Sequence, residues 1–217
     1  MARTALAEIL RIAGVEEPEA GQLEIRGADP VLPVAYRIGT AGAASLAAVG
    51  FAAARLWKLR TGRSQSVALD TRAAAISLRS ARYLRINGQA PPPIWDPLSG
   101  FYPVRGGGWI SIHCNFSNHR DAALAVLGVP AERELAAKAS PNWEGETLED
   151  AIHAQGGCAG FVRTAEQWLR HAQAQAVSVQ PLIEIERIGD APPEQLPSGE
   201  RPLSGVRVLD LTRVLAG

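Results

Sequence analysis

Cysteine is scarce in this sequence, aromatic residues are few, and neither sign of charge prevails. Two cysteines, Cys114 and Cys158, stand among 217 residues without CxxC spacing. This excludes a disulfide framework and a cysteine-based zinc site, and it fits a reducing compartment. Twenty-two basic residues balance twenty-two acidic ones, so no global field draws nucleic acid or an anionic membrane. The signatures GxSxG, GxxxxGKS/T, HExxH and a strand-borne GxGxxG are all missing. The amino-terminal MARTALAEILRIAG is too short and too charged for a signal segment or a membrane span. A cytoplasmic protein with no membrane, nucleic-acid or metal partner is therefore the expectation.

What is present is apolar and alanine-rich. Hydrophobic residues make up 47% of the chain, enough for a sizeable core. Residues Ala5 to Ala13 read as a helix stopped by Gly14. From Ala41 to Arg60, AGAASLAAVGFAAARLWKLR predicts a long helix packed closely on several faces. It matches a membrane helix in length, but its KLR end and early glycines favour a buried one. SVALD reads as a strand, Thr71 to Asn87 as a helix closed by Gly88, and PPP at 91–93 as a boundary. GFYPV and WISIHC form a hairpin signal around RGGG. Helices are expected at 118–127, 148–155 and 164–175, the last opened by the Thr164/Gln167 capping box. PLIEIERIG at 181–189 and GVRVLDL near the end read as strands, with a proline-rich linker between them.

The map is thus a helix-rich segment at 1–90, a small α+β domain at 97–188, a linker at 189–202, and one further strand in 203–217.

Individual chemistry-bearing residues give weak signals. His113 and Cys114 are adjacent on a strand and face opposite sides, so they do not share an ion easily. His119 sits at a strand-to-helix junction, while His153 and His171 fall on helices without ligand-type partners at i+4. The arginines at 72, 79, 82 and 85 spread over more than one helix face and read as solvated surface. Asp210 ends an apolar strand, where it either serves a site or contacts the next loop.

The closing LSGVRVLDLTRVLAG resembles the amino-terminal signature of the family III CoA-transferases. That group includes formyl-CoA transferase, carnitine dehydratase-like and bile-acid-inducible proteins, and α-methylacyl-CoA racemase. RLWKLRTGRSQSVALD resembles a later part of the same family's large domain. The stretches from Gly100 and from Thr164 resemble its small domain. The resemblance implies an α/β fold with a partial Rossmann-like large domain plus a small α+β domain. Pieces that normally come later precede the piece that normally comes first, which implies a tandem-like member whose second copy begins at 203.

The resemblance also implies chemistry. The family's nucleophile is an aspartate just before the small-residue helix, which forms an acyl anhydride and then a CoA thioester. A carboxylate suits this because it needs no prior deprotonation at neutral pH. That position falls at or near Thr40, and the nearest acid upstream is Asp29. The segment is therefore expected to be catalytically silent, with no catalytic residue of its own. Arg213, Val214, Leu215 and Ala216 match the loop that lines the CoA site. Coenzyme A or acyl-CoA is implied as substrate, with carboxylic acids as partners, and no prosthetic group. A homodimer or an intrachain pseudo-dimer is implied as well. A racemase or dehydratase-like activity, or a non-enzymatic partner domain, are the alternative readings.

Overall fold

Contacts divide the chain into two units, Met1–Leu84 with the segment from Pro181 onward, and Arg85–Gln180. The computed structural model of the chain describes residues 1–212.

The first unit is organised by one helix. Helix α1 (Ala2–Ile12) buries Leu6 and Leu10, one turn apart on a single face. Strand β1 (Leu23–Arg26) runs parallel to β2 (Val67–Asp70), with Leu23 opposite Val67 and Arg26 opposite Asp70. Helix α2 (Ile38–Thr61) is the crossover between them, so β1–α2–β2 is a βαβ unit. Its buried face is made of Gly39, Gly42, Ala43, Ala44, Ala47 and Phe51, and the side chains from Ala44 to Phe51 pack with Leu6, Leu10 and Leu23. Small side chains let neighbouring backbones approach. A Cβ on Gly42 would lie 2.8 Å from Leu78 Cδ1 and 3.4 Å from the Ala74 carbonyl oxygen. Gly62, at φ 72°, ends the helix in the left-handed conformation. Helix α2 is the one helix among the described residues long and apolar enough to cross a membrane.

Three expectations change here. The helix expected over 71–87 is shorter, α3 spanning Thr71–Ser77 with Asp70 accepting the Ala73 N–H at 2.9 Å. Beyond it Leu78, Tyr83, Leu84 and Ile86 are exposed, so no buried stripe stabilises more turns. The strands expected at 181–189 and 206–211 do not form among the described residues. A strand exists by hydrogen-bonding to a neighbour, and neither segment lies against one. The tail is tied down instead by Arg60, whose guanidinium donates to the carbonyls of Pro202 and Ser204 at 2.9–3.2 Å. The parallel sheet therefore has two strands, too few to display a Rossmann-like arrangement.

The second unit is a three-stranded antiparallel sheet backed by helices. Strands β3 (Gly100–Pro103), β4 (Trp109–Ile112) and β5 (Ala159–Phe161) lie in that order. The RGGG stretch closes the hairpin as expected, with Gly106 at φ 82° and Gly107 at φ 89°. Tyr102, Ile110 and Ile112 point inward onto α4 (Ser117–Leu127) and α6 (Gly145–Ala154), whose Ala123, Leu127, Leu148 and Ile152 complete the core. Helix α5 (Arg133–Ala139) packs its Ala136 into the same core. The Tyr102 hydroxyl is buried and donates to the Leu98 carbonyl at 2.6 Å. The Thr164/Gln167 capping box is present, but the expected single helix is two, α7 (Ala165–Arg170) and α8 (Ala172–Ser178). His171 breaks it with an extended ψ of 138°, and its ring nitrogen accepts the Gln173 N–H to cap α8.

Ile152 is fully buried in this core. Ile152→Ala is expected to cost about 2–5 kcal/mol in denaturant unfolding of the second unit. A loss below about 0.5 kcal/mol would show that the sheet does not rest on α6.

Candidate functional site

Helix α2 starts without a cap of its own. Its N-cap residue is Arg37, whose side chain makes no capping bond, so the first amides need an acceptor from elsewhere. Asp29 supplies it from the preceding loop. One carboxylate oxygen accepts the Gly39 N–H at 3.1 Å and the other accepts the Thr40 N–H at 2.6 Å. The absence of a side chain at Gly39 allows this approach. A Cβ there would stand 2.6 Å from the Asp29 oxygen, 2.7 Å from Val31 Cγ2 and 2.8 Å from Thr71 Cγ2.

The neighbouring Thr40 side chain, followed by the Thr40 and Gly39 amides, holds the carboxyl below its ordinary 3.8 against the opposing effect of burial. Two amide donors of the first turn thus meet the carboxylate, one on each oxygen. Asp29, the nearest acid upstream of Thr40, thus meets the Thr40 backbone from eleven residues earlier. A carboxylate stabilised this way is a weak base towards an alcohol, and each of its oxygens accepts an amide of the helix.

The other residues singled out in the sequence are dispersed. Arg213, Val214, Leu215 and Ala216 lie outside the described residues. Asp210 accepts the Thr212 N–H at 2.8 Å and its hydroxyl at 2.5 Å, a local turn rather than a convergence. Cys114 is buried beneath β4, and burial, with Asp96 nearby, pushes its thiol up to about 11. His113 lies on the opposite face, against the rings of Trp95, Phe116 and His119. His153 Nε2 donates to the Ala159 carbonyl at 2.8 Å, and His171 caps α8.

Sequence reasoning missed an ion pair between Glu149 and Arg163, 2.6 Å apart with both side chains mostly buried. Burial pushes Glu149 up, but bonds from Arg163 and the Phe161 N–H outweigh it and hold the carboxyl low. Arg163 is raised chiefly by its hydrogen bond to Glu149. The pair borders a cleft of about 810 Å³ that His153, Trp168 and His171 also line. No spacing rule relates positions 149 and 163, because they meet only through the fold of β5 on α6.

Helices and small sheets in two units define an α/β protein, and solved structures share that arrangement. The Rv3272 protein of Mycobacterium tuberculosis, a hypothetical protein, aligns with a TM-score of 0.59 at 16% identity over 92% of this chain. Its orthorhombic crystal form gives 0.58 at 18% identity. A CAIB/BAIF family protein from Brucella suis aligns at 0.50 and 15% identity, over 72% of this chain and 48% of that one. The chain spans 57% of the length of the Rv3272 protein. No curated protein matches it significantly. The sequence model of CoA-transferase family III matches residues 15–195, and the chain belongs to that family.

Asp29 is depressed in the folded state, so its contribution to stability is present above pH ~3.8 and disappears as pH falls through its lower folded value. Asp29→Asn should lower the unfolding midpoint at pH 7, and the difference from wild type should shrink steadily below pH ~3.8. A difference that stays constant across this window would remove Asp29 from the capping role.

Proposed function

We propose that this chain is a catalytically silent portion of a protein that moves CoA between acyl groups. Family membership supports CoA thioesters as the substrates. The observation that carries the silent reading is the first turn of α2. By the family resemblance the nucleophile's position falls at or near Thr40, and the nearest carboxylate, Asp29, gives both its oxygens to the helix it caps. Attack on a thioester needs a lone pair free to reach the carbonyl carbon at about 3–3.5 Å. Both Asp29 oxygens already accept amides of α2, so attack by either one competes with the cap.

On this reading residues 1–202 serve as scaffold, in the segments 1–90, 97–188 and the linker 189–202. Residues 203–217 begin a second Rossmann-like domain, with Arg213 to Ala216 against CoA. The nucleophilic aspartate and the acid–base groups come from outside this scaffold. A cytoplasmic location and carboxylic acid acceptors belong to the same proposal.

The test is incubation of the 217-residue chain with acetyl-CoA and a panel of carboxylates, followed by thioester analysis and intact mass. No exchange and no acyl or CoA adduct are expected. Turnover that Asp29→Asn abolishes, or an adduct mapped to Asp29, would contradict the silent assignment.

A further inference from the structure

A second cleft, of about 500 Å³, lies wholly within the first unit. Along one side runs the carboxyl-terminal half of α2. Phe51, Ala54, Arg55, Lys58, Leu59 and Gly62 border the cleft, and their spacing of three and four puts them on one helix face. Phe51 is nearly buried, while Leu59 is 77% exposed. With Ala54 they surround the two cations of this face with apolar surface. The other lining segment is the connector between α1 and β1, which brings Glu16, Glu17, Glu19 and Gln22 to the same cleft.

The charged groups of this cleft do not neutralise one another. Glu19 is engaged locally: its carboxylate accepts from the Gln22 amide at 3.1 Å, and its N–H donates to the Gln22 side-chain oxygen at 3.1 Å. The side chains of Glu16, Glu17, Arg55 and Lys58 make no ion pair among the described residues. Two carboxylates and two cations therefore line one cleft unpaired. A phosphate or other anion meets the cations there but is repelled by the glutamates. A simple ammonium meets the glutamates but is repelled by Arg55 and Lys58. A molecule carrying both charges is attracted by both sets. Its nitrogen must also bear N–H donors, because a carboxylate only accepts, and that favours a primary ammonium over a quaternary one. Clefts of this size hold small ligands, with apolar surface for their bodies and a few polar groups to orient them.

We propose that this cleft binds a free α-amino acid with an apolar side chain. The amino acid's carboxylate accepts from Arg55, whose planar fork suits two oxygens at once, and from Lys58. Its ammonium group donates to Glu16 and Glu17. Its side chain lies against Leu59 and Ala54 and takes part of that exposed leucine out of water. Lys58 stands about 27 Å along the helix axis from Thr40 at 1.5 Å per residue, so the site is separate from the first turn of α2. It is independent of the CoA chemistry proposed above.

The test is an NMR titration of the isotope-labelled 217-residue chain with L-leucine up to about 20 mM. Saturable shifts are expected at the Arg55 and Gly62 amides, with the Gly39 and Thr40 amides unmoved. N-acetyl-leucine lacks the cation, leucinamide lacks the anion and alanine lacks the apolar body. Each should bind at least about fivefold more weakly than leucine. Arg55→Gln and Glu17→Gln should each weaken leucine binding by a similar factor. Both positions are exposed, so the unliganded spectra should match wild type, and Lys58→Gln or Glu16→Gln replaces a variant whose spectrum does not. No saturable shift, or shifts centred away from the cleft, would overturn the proposal. So would variants that bind leucine as wild type does, or alanine binding that equals leucine's. N-acetyl-leucine binding within about fivefold of leucine would overturn it in favour of an anion site, and leucinamide binding so closely would do so in favour of a cation site.

Discussion

The contact between the Asp29 carboxylate and the first amides of α2 is the constraint on which the first unit depends. A helix of 24 residues concentrates a positive end at its amino terminus, and this one has no cap residue there. Asp29 meets that end from a loop, so the loop, the helix start and the strands beside them are fixed together. Thr71 extends the same knot, buried completely and donating its hydroxyl to the Arg26 carbonyl at 2.8 Å. Gly39 sits at the centre, surrounded by Asp29, Val31 and Thr71 at distances that leave no room for a side chain. The small-residue face of α2 then carries this arrangement to α1 and α3.

That constraint also bears on the proposed chemistry. A carboxylate near the start of a small-residue helix is what the family's reaction needs, and here one arrives from a different place in the chain. It arrives with each oxygen accepting an amide of the helix. Geometry that stabilises the anion makes it a good cap and lowers its basicity and its availability for attack. On the reading proposed above, the fold needs the charge at α2 while the reaction needs a free carboxylate, so the two demands on Asp29 conflict.

How legible this was from the sequence depends on the range of each interaction. The Thr164/Gln167 capping box and the RGGG hairpin are read correctly because their partners lie within a few residues. The opposed directions of His113 and Cys114 follow from strand alternation alone. β1 passes unnoticed, because LEIR is short and acquires its meaning only beside Val67–Asp70. The Asp29 cap spans eleven residues, and its one local sign is an arginine where a capping residue belongs. GVRVLDL has strand composition but no neighbouring strand among the described residues, and composition cannot supply one. His171 shows the reverse case, a residue read as helix surface that ends one helix and caps the next.

The most direct measurement of the central claim is the pH dependence of the Gly39 and Thr40 amide signals by NMR. If Asp29 caps α2, both amides shift together with a midpoint below 3.8 and exchange slowly with solvent above it. Amides that do not follow the Asp29 carboxyl, or that exchange as freely as a frayed helix end, would contradict the account.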